Sequence, residues 1–91
     1  LNLTKCLADR GVADGVRVTA VNPGSIRTGR LAARVRKLAA EQRVSEDEAA
    51  RRLTAKLGVA RFGEPEEVAD AVAFLASDRA AYLQGAVLDV D

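Results

Sequence analysis

The sequence predicts an α/β fold, the end of a parallel sheet with helices around it. Three observations carry that expectation. Two short runs rich in β-branched residues, 16–21 and 85–90, are separated by segments of helical periodicity, so the chain reads helix, strand, two helices, a third helix, strand. The first run does not alternate cleanly between apolar and polar residues, which is how a strand covered on both faces reads. Strands joined through helices and pointing the same way pair in parallel by a right-handed crossover.

Taken in order, Leu1, Leu3, Thr4, Leu7 and Ala8 recur at helical spacing, and Gly11 stops the pattern where a residue able to take positive φ is wanted. VADG, residues 12–15, reads as the turn into the first strand. That strand leaves through VNPGSIRTG, residues 21–29, where Pro23 removes a donor and fixes φ while Gly24 permits close approach of backbone. Leu31, Val35, Leu38 and Ala39 then mark an amphipathic helix ending near Gln42. Ser45-Glu46-Asp47-Glu48 is a capping box, the serine oxygen accepting from the Glu48 amide while that carboxylate reaches back. The helix it opens carries Ala49, Ala50, Leu53 and Leu57 on one face and ends at Gly58.

RFGEP, residues 61–65, starts a third helix, with Pro65 at its first position and Glu66 and Glu67 at the positive end of the dipole. Val68, Ala71, Val72, Leu75 and Ala76 form its apolar stripe, and Ser77 and Asp78 close it. GAVLDV, residues 85–90, is the last strand. Two strands alone each expose an edge and make a marginal sheet in water. Leu1 stands in mid-pattern rather than at a Met, and Asp91 follows a strand directly, so the expectation is the far part of a larger sheet.

Ninety-one residues, 48% hydrophobic and 30% charged, suit one soluble domain at most. No apolar run approaches the roughly 18 residues that span a bilayer, and there is no secretory leader pattern. The expectations are a cytoplasmic location and no membrane partner. Cys6, the single cysteine, is expected to be a small buried hydrophobe on the inner side of the first helix. With no His and no cluster of ligating side chains, no metal site is expected. The net charge of +1 is segregated: residues 27–61 carry ten Lys and Arg against four acids, whereas residues 62–91 carry one against seven. A solvated helical face explains the basic segment, and an anionic ligand is the sharper alternative.

LNLTKCLA, VRVTAVNPGSIRT, RFGEPEEVADAVAFLAS and YLQGAVLDVD, in that order and at those distances, carry a family resemblance. Over its whole length the chain resembles the C-terminal third or so of a short-chain dehydrogenase/reductase, similar to 3-oxoacyl-carrier-protein reductase-like members. The resemblance implies the C-terminal segment of a single NAD(P)-binding Rossmann-type domain, a doubly wound parallel sheet, over residues 1–91. It implies NAD or NADP as cofactor and a small-molecule carbonyl or alcohol as substrate. Pro23 and Gly24 would lie against the nicotinamide, Ile26 would hold its carboxamide through backbone N–H and C=O, and the Thr28 hydroxyl would bond the carboxamide or a phosphate oxygen. Residues 29–61 would form the substrate lid, with Arg30, Leu31 and Val35 toward the substrate. Segments 66–77 and 85–90 would form the surface of a homo-oligomer, a tetramer.

The family's chemistry uses a Tyr, a Lys four residues later and a Ser, which the resemblance places before Leu1, so these 91 residues by themselves are expected to be inactive. Lys5 follows Leu1 rather than a Tyr at that spacing and reads as a solvated lysine; Tyr82 is followed four later by Ala86 and reads as a packing or interface aromatic. Two other readings stay open. RVSEDEAARRLTAKLGV has the look of a helix-turn-helix, with Arg51, Arg52 and Lys56 for DNA phosphates, although an acidic first turn would meet them. The chain could also act without catalysis, through its oligomer surface alone.

Overall fold

The structure, a computed structural model, describes residues 2–91. Leu1, placed above on the first helix's apolar face, lies outside the described residues. The order is α1 (Asn2–Asp14), β1 (Ala20–Pro23), α2 (Gly29–Gln42), α3 (Glu46–Leu57), α4 (Pro65–Ala76), one 3-10 helix (Asp78–Ala80) and β2 (Val87–Val90). This is the element order the sequence predicts, and the two strands are parallel. The chain divides into two compact units, one from Leu1–Gly24 and Glu66–Val90, the other from Ser25–Pro65 with Asp91.

In the first unit, β1 and β2 pair from Ala20 opposite Val87 to Pro23 opposite Val90. The Ala20 N–H donates to the Ala86 carbonyl at 2.9 Å, and the Gly24 N–H to the Val90 carbonyl at 2.9 Å. Pro23, having no N–H, stands at the last position of its strand. Both strands are shorter than the sequence predicts, and Gln84 is the reason. Its Oε1 accepts from the Val18 N–H at 2.9 Å, and its Nε2 donates to the carbonyls of Ala8 at 2.6 Å and Val16 at 3.1 Å. Val16 and Val18 thus place backbone groups on a side chain, and the Val18 carbonyl accepts from the Gly85 N–H at 2.8 Å, instead of continuing the strand. Nor are the strands covered on both faces. β1 passes from half-buried to exposed, and Val87 and Leu88 of β2 are exposed, because each strand has only one neighbour.

α1 does not stop at Gly11 but runs through it to Asp14. Gly15, at φ 70°, takes the left-handed position, with the Val16 N–H on the Gly11 carbonyl at 2.8 Å and the Gly15 N–H on that of Val12 at 3.5 Å. This paired pattern is the Schellman closure, set four residues later than the stop expected at Gly11. Gly11 has a different reason to be glycine: a Cβ there would overlap the Val16 carbonyl oxygen. The buried face of α1 is Thr4, Ala8 and Gly11. Cys6 stands roughly 200° around the helix from Ala8 and is exposed, correcting the expectation that it is buried.

α4 starts at Pro65 as expected, and the Ser77 hydroxyl closes it on the Phe74 carbonyl at 2.6 Å. Of its apolar stripe only Leu75 is buried; Val68 and Ala71 are half-buried, and Val72 and Ala76 are exposed.

The second unit is a helical hairpin. α2 and α3 close over Val35, Ala39, Ala49 and Leu53, with Phe62 completing the core. Thr28 caps α2, its Oγ1 accepting from the Leu31 N–H at 3.4 Å, and Ser45 caps α3, accepting from the Glu48 N–H at 3.1 Å. Gly58 ends α3 at φ 72°, where the sequence placed it, whereas α2 ends on Arg43, a non-glycine residue at φ 54°. The Arg43 and Val44 N–H groups both return to the Ala39 carbonyl, which holds that turn.

Gly11→Ala should destabilise the protein by about 1–3 kcal/mol, because backbone rather than a movable side chain must give way. An unchanged urea midpoint for this variant would show that the α1 turn is not packed as described.

Candidate functional site

The segment from Pro23 to Thr28 is where the sequence places a ligand. Pro23 and Gly24 end the first unit and are exposed at the carboxyl end of β1. In the second unit, half-buried Ile26 forms an isolated parallel bridge with Gly63. The hydrogen bonds of that bridge belong to its flanks: the Gly63 N–H donates to the Ser25 carbonyl at 2.9 Å, and the Arg27 N–H donates to the Gly63 carbonyl at 2.7 Å. In extended backbone successive residues present their amides to opposite edges. The N–H and C=O of Ile26 therefore face away from Gly63, and no hydrogen bond to either occurs among the described residues. One donor and one acceptor stand side by side there. A primary carboxamide offers the complementary pair.

Residues 62–64 hold this edge in place, a role the sequence reading missed in treating RFGEP only as the approach to a helix. Arg27 Nε lies 2.8 Å from Glu64 Oε1, and its guanidinium sits 5.9 Å from the centroid of the buried Phe62 ring. The second contact is at the outer limit of a cation–π interaction. A Cβ on Gly63 would come within 2.9 Å of Ile26 Cδ1, the movable end of a side chain, and no nearer than 3.9 Å to the Ser25 carbonyl oxygen. The available signal was a glycine between the chain's buried aromatic and an acid, just before a helix-starting proline.

Thr28 is exposed, and its oxygen is the cap acceptor for α2 while its O–H remains a donor. The first turn of α2 holds no acid, unlike α3 with Glu46, Asp47 and Glu48 or α4 with Glu66 and Glu67. Its positive end is thus not offset by its own side chains and suits an anionic group. Arg30 is exposed in that turn. Half-buried Leu31 and buried Val35 line a cavity of about 170 Å³ together with Arg27, Ala32, Glu46, Asp47, Ala50 and Phe62.

The remaining candidates fall outside this set. Lys5 is ion-paired to Asp9 at 3.2 Å on exposed helix surface, as a solvated lysine should be. Tyr82 is fully exposed and packs against nothing among the described residues, which corrects the packing half of its expectation. The reciprocal half of the capping box is also absent. Instead of returning to Ser45, the Glu48 carboxylate binds Arg51 Nη2 at 2.8 Å and Arg52 Nε at 3.2 Å. Nothing favours the helix-turn-helix reading: two of its three cations are turned onto an acid, and the first turn of α3 is acidic throughout.

Comparison with known proteins bears on all of the chain. Residues 1–91 match the family model described as enoyl-(acyl carrier protein) reductase. The chain is 40% identical over 91 residues to acetoacetyl-CoA reductase of Rhizobium meliloti, covering all of this chain and 34% of that protein. It is 40% identical over 89 residues to 3alpha-hydroxysteroid dehydrogenase of Mediterraneibacter gnavus, covering 98% of this chain and 31% of that one. The crystal structure of L-sorbose reductase from Gluconobacter frateurii, complexed with NADPH and L-sorbose, superposes with a TM-score of 0.86 at 30% identity, covering 98% of this chain and 34% of that one. The 91 residues span about a third of the length of these relatives.

Hydrogen bonds from Arg51 and then Arg52 hold the Glu48 carboxyl below its ordinary range. A lowered folded-state pKa stabilises fully above the unfolded-state value and is lost as pH falls through the lowered one. Glu48→Gln should therefore remove one acid-dependent component of α3 helicity, read by far-ultraviolet circular dichroism during acid titration. Superimposable wild-type and variant titrations would show that the pairs contribute nothing.

Proposed function

The chain belongs to the short-chain dehydrogenase/reductase family, and from that premise we propose that it forms part of an NAD(P)-dependent oxidoreductase interconverting a carbonyl and an alcohol. The observation that carries the proposal is the unbonded N–H and C=O of Ile26, a donor and an acceptor on one edge. In this reading Ile26 takes the nicotinamide carboxamide and fixes which ring face is presented. Thr28 donates its O–H to the carboxamide or to a phosphate oxygen, supported by the acid-free first turn of α2. Pro23 and Gly24, contiguous with them in the chain, lie along the flat ring. Bound NAD or NADP supplies or accepts the hydride. The Tyr, Lys and Ser that move protons and orient the carbonyl stand on polypeptide outside these 91 residues.

Residues 29–61, the hairpin of α2 and α3, serve as the substrate lid, with Arg30, Leu31 and Val35 toward a small carbonyl or alcohol. A lid of this kind excludes water from the reacting atoms. Segments 66–77 and 85–90 form the contact surface of a homotetramer. Exposed Val72, Phe74, Val87 and Leu88 lie on those segments, and apolar surface of this kind is what an obligate interface covers. The protein acts in the cytoplasm.

Thr28→Gly separates cofactor binding from helix capping, because glycine caps a helix nearly as well as threonine, adds no charge and has no hydroxyl to donate. In the intact enzyme the variant should raise the cofactor KM by roughly tenfold, on the scale of one hydrogen bond left unmade, while the urea midpoint stays put. An unchanged KM would remove Thr28 from the site. Phe74→Glu should shift the assembly toward smaller species in sedimentation velocity. A wild-type protein that sediments as a monomer would sink the interface reading.

A further inference from the structure

The basic side chains of the hairpin are not spread evenly. A groove of about 290 Å³ between α2 and α3 is lined by Arg34, Lys37, Glu41 and Gln42 from one helix and Arg52 and Lys56 from the other, over a floor of Leu38 and Leu53. Four cations thus face one acid. Arg34, Lys37 and Lys56 form no ion pair or hydrogen bond among the described residues. Arg52 is different: Nη1 donates to Gln42 Oε1 at 2.7 Å and Nε to Glu48 Oε1 at 3.2 Å, which fixes the guanidinium at the wall with Nη2 open. Arg34 with Lys37 at i,i+3 and Arg52 with Lys56 at i,i+4 are like-charge neighbours on their helix faces, an arrangement that destabilises each helix unless an anion relieves it.

We propose that this groove is a binding site for an organic polyphosphate, a nucleotide-like molecule whose phosphates meet Arg34, Lys37, Arg52 and Lys56 while its apolar part rests on Leu38 and Leu53. The size fits, being close to the lower end of small-molecule sites at roughly 300 Å³. The apolar floor favours an organic ligand over an inorganic ion. A narrow concavity with one oriented arginine suits clustered phosphates better than the broad acidic face of a protein. This site lies within the second unit and does not rest on the cofactor reading.

Calorimetric titration of the protein with adenosine bisphosphate, with inorganic tripolyphosphate and with duplex DNA tests the proposal. Adenosine bisphosphate should bind saturably and more tightly than tripolyphosphate, with affinity falling as salt rises, as expected for phosphates on exposed cations. Arg34→Ala and Lys37→Ala should each weaken binding by about tenfold, the loss of one charge-assisted contact. Arg36→Ala removes the same charge from the same helix but from outside the groove, and should change affinity by less than about twofold. Circular dichroism confirms that each variant is folded, and added ligand should raise the melting temperature of the wild type. The absence of saturable binding at low salt would overturn the proposal, as would equal weakening by Arg36→Ala, or tighter binding of DNA than of adenosine bisphosphate.

Discussion

A parallel strand pair brings both carboxyl ends to one rim, and everything in the first unit follows from that constraint. Four residue pairs, Ala20 with Val87 through Pro23 with Val90, set the register. Pro23 then ends the ladder because it has no N–H, and the Gly24 N–H makes the last bond to Val90. At the other end the chain does not fray. Gln84 reaches Ala8, Val16 and Val18 with a single amide and ties α1, the approach to β1 and the approach to β2 together. One side chain replaces several rungs of a ladder, which is why such short strands can hold their position.

The second unit is organised around a smaller device, one bridge between Ile26 and Gly63. A bridge of this type uses the neighbours' amides and leaves the central residue's own pair on the opposite edge. Arg27 and Glu64 reinforce it from outside and Phe62 anchors it in the hairpin core. A backbone edge has an advantage over a side chain for recognising a carboxamide, since it carries donor and acceptor at fixed spacing and loses no rotamer freedom on binding.

Charge is distributed by pairing as much as by composition. The acids at the start of α3 are placed where the helix dipole favours them, and Glu48 also neutralises Arg51 and restrains Arg52. Of the cations left without an ion pair among the described residues, Arg34, Lys37 and Lys56 line the groove between α2 and α3, whereas Arg30, Arg36 and Arg43 lie outside it. The segmental excess of cations seen along the sequence therefore resolves into a partly neutralised surface and a concave region where four cations meet one acid.

Local signals in the sequence determined the kind and order of the elements, because periodicity, caps and helix stops act within a few residues. Ser45 and Gly58 bound α3, Pro65 opens α4, and Leu31, Val35, Leu38 and Ala39 face inward on α2, all as their spacing requires. The motif around Pro23 to Thr28 was likewise legible as a place where something is held. Only the tertiary structure decided where β1 begins and ends, since the groups that bound it, Gln84 and Val90, lie more than sixty residues away. It also decided which amide of the motif is left open, because that depends on which edge Gly63 occupies, and which cations stay unpaired, because that depends on the packing of two helices. Hydrogen-bond direction and charge pairing are properties of neighbours in space, and neighbours in sequence do not specify them.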